Sequence, residues 1–360
     1  MKNNLITIVS ETLSNTKIKK RKAIIDALQS LLYENMYEIA EANAKLKVTE
    51  CPRCGSTDIV RKGKDQKGSQ RYLCNDCRRT FGDGTNRILG QTKLTKEVWM
   101  RYLECFADRL SLRVCADRSG VSLTTSFFMR HRIMECIAKF CPSFQVETGS
   151  GAEIDEKFFK ENFKGNHKKS GFQMPRKVHK RGTARAAGEQ ICVMTGLNDK
   201  NDMFYELAGR GMISIPRARQ ALKDKIKSGA IISTDKAYAY EKVLKRIRVG
   251  SHITHSTASH KLNRINNLHY QIENFMGRYK GVATKHLPSY LAWFKWVYSF
   301  KSRGSDISGL LVKQISEGVY RRHICDFKHI KTPYLEYWTW GGGMYSGTSA
   351  VHGYVNPALT

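Results

Sequence analysis

Two aspartates define the chemistry this chain can do. Asp155 lies in Ala152-Glu153-Ile154-Asp155-Glu156-Lys157-Phe158-Phe159, and Asp235 closes Ala230-Ile231-Ile232-Ser233-Thr234-Asp235. A strand over the first run puts Glu153 and Asp155 on one face and Ile154 on the other. A carboxylate on a core strand is costly unless it has a partner, and in an active site that partner is usually a metal ion. Acids on two strands can hold two hard cations, Mg²⁺ or Mn²⁺, which clamp the attacking and leaving oxygens of a phosphodiester. Taken alone, Asp235 also has an ordinary use as a cap for the helix expected after it.

A third ligand is expected from a helix downstream. Asn266, His269 and Glu273 fall at i, i+3 and i+7 on one helical face, and Lys280 continues that face. The plainer alternative makes Asn266 a cap and leaves Glu273 and Lys280 on the surface. His255, His260 and His269 are candidates to assist, His269 foremost because of its face.

A different metal is written into the cysteines. Cys51-Pro-Arg-Cys54 and Cys74-Asn-Asp-Cys77 are two knuckles nineteen residues apart, a spacing that sets four thiolates around one structural Zn²⁺ in a zinc ribbon. Four protein ligands close that site, so it is structural and not catalytic. Cys105, Cys115, Cys136, Cys141, Cys192 and Cys325 lack ligand spacing and read as small core residues.

The elements that must carry these groups follow from length, charge and periodicity. The 360 residues suffice for two or three domains, and 61 Lys+Arg against 32 Asp+Glu, a formal +29, favour a polyanionic partner, nucleic acid first. No signal peptide and no span of roughly 20 apolar residues is visible, so a cytoplasmic, non-membrane protein with reduced cysteines is expected.

The expected class is a multidomain α+β and α/β chain. Residues 1–47 form a helical N-terminal region, with Ile24, Ala27, Leu28, Leu31 and Leu32 at helical spacing, and 48–90 the zinc ribbon. Residues 91–148 form a helix-turn-helix-like module: helix 95–110, short helix 112–118, the turn Gly120-Val121-Ser122, and helix 123–138 capped by Ser122. Arg130, His131 and Arg132 on its last helix are placed to meet DNA.

Residues 149–300 form a mixed sheet with helices on its faces. Strands are expected at 152–159, 190–197, 202–208, 230–235 and 252–256, and helices at 215–227, 237–247, 265–280 and 288–300. An irregular basic insertion, 160–189, carries Lys168, Lys169, Arg176, Lys177, Lys180 and Arg181 and suits a phosphate backbone. Residues 301–360, with Trp338 and Trp340 before three glycines, read as a poorly ordered tail.

The order zinc ribbon, helical module, Asp155 strand, basic insert, Asp235 strand, then Gly281-Val-Ala-Thr-Lys285-His-Leu-Pro-Ser-Tyr290-Leu-Ala-Trp-Phe294, resembles bacterial insertion-sequence transposases of the ISXO-like group over roughly residues 50–300. Asp155-Glu156 and Glu161-Asn-Phe-Lys-Gly-Asn-His-Lys-Lys-Ser170 also look like that group's segment after its first catalytic aspartate. The resemblance implies an RNase H-like catalytic domain and Mg²⁺-dependent cutting and joining of double-stranded DNA at inverted terminal repeats, by dimers or larger assemblies in the bacterial nucleoid. It also implies an Asp-Asp pair completed by glutamate or asparagine, with lysine seven positions on. Glu273 with Lys280 matches the glutamate form; Asn266 is the competing choice, followed at seven by Glu273 and not by lysine. An anionic oxygen suits Mg²⁺ better, which favours Glu273. The rival functions are a non-catalytic zinc-ribbon DNA-binding protein and a metal-dependent nuclease.

Overall fold

The computed structural model describes residues 2–43, 48–66, 68–90, 92–162, 190–255, 262–301, 304 and 307–330. It divides into two compact units, Met1–Cys136 with Asp306–Arg321, and Ile137–Ser305 with Arg322–Thr360.

The first unit begins with helices α1 (Lys2–Ser14) and α2 (Ile18–Asn43). The helical periodicity of α2 does not translate into burial throughout, since Leu31 and Leu32 are exposed. A small antiparallel sheet follows: β1 (Ile59–Lys64), β2 (Gln70–Cys74) and β3 (Thr80–Gly82) in that order. Then come α3 (Lys96–Ala107), α4 (Leu112–Arg118) and α5 (Leu123–Ala138), close to the expected bounds. Thr95, Ser111 and Ser122 each accept from a backbone N–H in the first turn of the helix they precede, which satisfies donors that would otherwise be unpaired. Gly120, at φ +65°, makes the turn between α4 and α5 in a conformation that a Cβ disfavours. Trp99, Tyr102, Phe106, Ile133 and Met134 are buried.

The second unit is built on a five-stranded sheet in the order β6-β5-β4-β7-β8. Its strands are β4 (Gly151–Lys160), β5 (Gln190–Asn198), β6 (Met203–Arg210), β7 (Ile231–Asp235) and β8 (Ser251–His255). The first three form an antiparallel meander, and β7 and β8 add parallel to β4. Helices α6 (Ile215–Leu222) and α7 (Tyr238–Ile247) lie on one face. There Ala218, Leu222, Tyr240, Val243 and Leu244 pack with Ile154, Met194, Phe204 and Ile232. Helices α8 (Asn263–Gly277) and α9 (Leu287–Lys301) lie on the other, where Phe275 meets Trp293 and Phe294 edge to face.

Three expected elements differ. The helix predicted over 215–227 ends at Leu222, because the chain turns at Asp224 (φ +59°) and Lys225 and Lys227 hydrogen-bond to Val146. The helix predicted to reach 280 ends at Gly277, so Lys280 lies beyond it and is exposed. The stretch read as a tail from 301 carries helix α10 (Ile307–Glu317), whose Leu311 and Ile315 are buried in the first unit, and the short α11 (Asp326–His329). Trp338 and Trp340 lie outside the described residues.

Candidate functional site

Strand alternation turns Glu153, Asp155 and Lys157 toward α8, and Ile154, Glu156 and Phe158 toward α6 and α7. Strand β7 pairs with β4 only as far as Glu153↔Ser233 and then ends at Asp235. Beside Asp155 and Glu156 the edge of β4 is therefore unpaired on that side. Into this gap Asp155, Glu156 and Asp235 each bring a carboxylate oxygen, all three within 4.8 Å of one another.

The surroundings hold these acids by backbone groups more than by cations. Asp155 Oδ1 accepts from the Glu156 N–H at 2.8 Å, and Asp235 Oδ1 accepts from the Ala237 N–H at 3.0 Å. Asp235 thus shapes the turn into α7, whose N-cap is Ala237. Among the described residues no basic side chain pairs with Glu156 or Asp235. Burial pushes Asp155 up to about 6, and the neighbouring Asp235 charge adds to this. Burial likewise pushes Glu156 up to about 7, reinforced by Asp235 and Asp155.

Glu156 Oε1 is buried without a hydrogen-bond partner, and the hydroxyl of the fully buried Tyr240, on the same face, interacts with the Glu156 carboxylate. An orphaned buried carboxylate oxygen within a three-carboxylate donor set fits a hard divalent cation.

The helix face reads differently from expectation. His269 is buried, with Nε2 2.7 Å from Thr195 Oγ1 and Nδ1 3.7 Å from Asp155 Oδ2. Burial and the nearby Lys157 lower its pKa to about 4. Glu273 is exposed and paired with Lys157 Nζ, outside the three-carboxylate cluster. Asn266 is exposed. His255 pairs with Asp235 across β7 and β8, whereas His260 lies outside the described residues.

Glu156 was missed because alternation sends it to the face opposite Asp155; the early end of β7 brings the two back together. Glu153 was noted only for its strand face. It ties β4 to α8, with Oε2 accepting from the Ile265 N–H at 2.9 Å.

In the ribbon, Cys51, Cys54, Cys74 and Cys77 form one cluster. The Sγ atoms of Cys51 and Cys77 are 3.7 Å apart, those of Cys54 and Cys74 3.5 Å. A tetrahedron with Zn–S near 2.3 Å has edges of about 3.8 Å, so these four cysteines fit a structural zinc site. Gly55 and Arg78, each following the second cysteine of a knuckle, both have positive φ. Of the other six cysteines, Cys105, Cys115, Cys136 and Cys192 are buried as expected, Cys141 is half-buried, and Cys325 is exposed, contrary to its reading as a core residue.

In the helical module Arg130 does not stand on the surface where the sequence placed it, while Arg132 is half-buried. Arg130 is 0% exposed, its Nη2 donating to the Leu110 carbonyl at 2.6 Å and lying 3.2 Å from Cys115 Sγ. His131 is buried, and the Arg132 guanidinium sits 4.4 Å above the Tyr320 ring. Arg130 thereby ties α5 to α4 and to the turn before it. Lys168, Lys169, Arg176, Lys177, Lys180 and Arg181 lie outside the described residues. Among the described residues no helix is long and apolar enough to cross a membrane.

Residues 47–78 match the InsA N-terminal domain, a zinc ribbon. Over 192 residues the chain is 24% identical to an uncharacterized protein in transposable element ISH50 of Halobacterium salinarum, covering 53% of this chain and 63% of that relative. The chain thus matches a little under two thirds of the relative's length. The InsA-type ribbon and this likeness support placing the chain among the transposase-like proteins of insertion sequences.

Proposed function

We propose that this chain is a DNA transposase that binds the terminal inverted repeats of its insertion sequence and catalyses divalent-metal-dependent strand cleavage and strand transfer, working as a dimer or larger assembly on DNA. The observation that carries this reading is the meeting of Asp155 and Asp235, from strands far apart in sequence, in one carboxylate cluster. The strand order, an antiparallel meander with two parallel strands added beside β4, supports an RNase H-like catalytic domain.

Asp155 and Asp235 would hold Mg²⁺ or Mn²⁺. When bound, such a cation supplies Lewis acidity toward a phosphoryl oxygen and lowers the pKa of the attacking hydroxyl. His269, kept neutral by burial, packs against Asp155 and limits its freedom to turn. Lys157 is placed to exchange its ion pair with Glu273 for a DNA phosphate, which would free Glu273 to join the two aspartates as third ligand. Asn266 is the alternative third ligand, and Lys280 a phosphate contact. The zinc ribbon and the helical module would bind the element ends, with the basic residues of 160–189 along the backbone.

The test incubates purified protein with Mg²⁺ or Mn²⁺ and DNA carrying the element ends. Cleavage and joining by the wild type, abolished in Asp155→Ala and Asp235→Ala with end binding retained, is the expected result. End binding without cleavage by the wild type would favour a non-catalytic DNA-binding protein, and cleavage without joining a nuclease. Loss of activity in Glu273→Ala but not Asn266→Ala would assign the third ligand.

A further inference from the structure

The acidic cluster contains one more carboxylate than the two-aspartate reading uses. Glu156 reaches it from the α7 face of the sheet, opposite to Asp155. Its Oε1 is shielded from solvent and has no hydrogen-bond partner. No basic side chain among the described residues pairs with it. On the same face lies Tyr240, 0% exposed, its hydroxyl interacting with the Glu156 carboxylate. A tyrosine fully inside an apolar helix face ordinarily finds a partner for its hydroxyl. A buried carboxylate beside two others is costly without compensation. That cost is relieved if a cation sits among the three carboxylates: Glu156 gains a countercharge and a ligand for its orphaned oxygen, while the tyrosine hydroxyl keeps the carboxylate oriented.

We propose that Glu156 is a direct ligand of the divalent cation held by Asp155 and Asp235, and that Tyr240 is a positioning residue whose hydroxyl orients the Glu156 carboxylate. This rests on the cation-binding reading of the two aspartates. It adds a ligand that is present before Glu273 leaves Lys157, so a cation is held in the free protein and not only on DNA. Tyr240 acts through Glu156 as outer-shell partners of metal ligands do, fixing the orientation of a carboxylate that has a flexible side chain.

The test is Mn²⁺ binding to the zinc-loaded, DNA-free full chain, by calorimetry and by the electron paramagnetic resonance signal of free Mn²⁺, with thermal melts with and without Mn²⁺. Wild type, Asp155→Asn, Glu156→Gln, Glu156→Asp and Tyr240→Phe are compared. Glu156→Gln is expected to weaken Mn²⁺ binding by ~10–100-fold, as is Glu156→Asp, which keeps the charge but shortens the reach. Without metal, Glu156→Gln should melt at or above the wild-type temperature, because a repelled carboxylate is gone; a merely structural glutamate would give a lower melting temperature. Tyr240→Phe should weaken Mn²⁺ binding by about tenfold. Wild-type affinity in Glu156→Gln and Glu156→Asp, with weakened binding in Asp155→Asn, overturns the role of Glu156 and leaves the aspartate site standing. Wild-type affinity in Tyr240→Phe overturns the positioning role. No Mn²⁺ binding by the wild type overturns the cation site itself and this inference with it.

Discussion

His269 stands between Thr195 and Asp155, its Nε2 2.7 Å from the threonine hydroxyl and its Nδ1 3.7 Å from the aspartate Oδ2. Its pKa falls from 6.5 to about 4, mainly through burial and further through Lys157. Below pH 6.5 the unfolded chain takes up a proton that the folded chain refuses until about pH 4. Stability from this residue is therefore complete above pH 6.5 and drains away as pH falls toward 4. His269→Gln should flatten that part of the acid limb in urea titrations at several pH values. An unchanged acid limb would show that the ring is not held neutral.

The carboxylate cluster works in the opposite sense. Asp155 and Glu156 rise from 3.8 and 4.5 to about 6 and 7, so the folded state binds more protons than the unfolded one across that interval. Their contribution to stability falls as pH rises from about 4 to about 7, and the cost is fully present above it. Added Mg²⁺ should raise the melting temperature more at pH 8 than at pH 5, by a difference of several degrees, or on the order of 1–3 kcal/mol. Equal shifts at both pH values, or none, would count against a cation among these acids.

The ribbon predicts a metal count. Elemental analysis of the full chain should find about one zinc per molecule, lost in Cys54→Ser and Cys74→Ser, because four thiolates hold a single tetrahedral ion. Chelation should unfold the ribbon, since binding of structural zinc is also folding free energy. DNA binding should then weaken. Full zinc content in either variant would exclude that cysteine as a ligand.

Arg130 offers a test between packing and phosphate contact. Replacing it with Met should lower stability by about 2–4 kcal/mol, because Leu110 loses its charged donor deep between helices. The dependence of DNA affinity on salt should keep its slope in the folded variant. A phosphate contact would reduce that slope by about one.

The sheet elements were legible because each obeys a simple period: Ile154, Ile232 and their neighbours alternate, and Ile265, Leu268, Ile272 and Phe275 recur at helical spacing. Asp155 and Asp235 stood out as charges inside apolar strands. Glu156 did not, because its place depends on where a neighbouring strand stops, and periodicity does not encode that. Arg130 misled for a related reason. On a helix, the side turned to a neighbour is chosen by tertiary packing, and a guanidinium can be buried when a carbonyl such as Leu110's awaits it. Lys280 was placed on a helix that in fact ends three residues earlier.

The β4–β5 hairpin stays in unbroken register from Ala152↔Asn198 to Lys160↔Gln190. Just past it, Asn162 exchanges backbone and side-chain hydrogen bonds with Thr284. Whatever departs from the sheet at this point must therefore return within one strand spacing, about 5 Å away. The two ends of this connection, at Lys160 and Gln190, are paired directly across β4 and β5. This junction is a natural grafting point, at which basic segments of different length could be traded while β4 and β5 keep the register that sets Asp155 and Glu156.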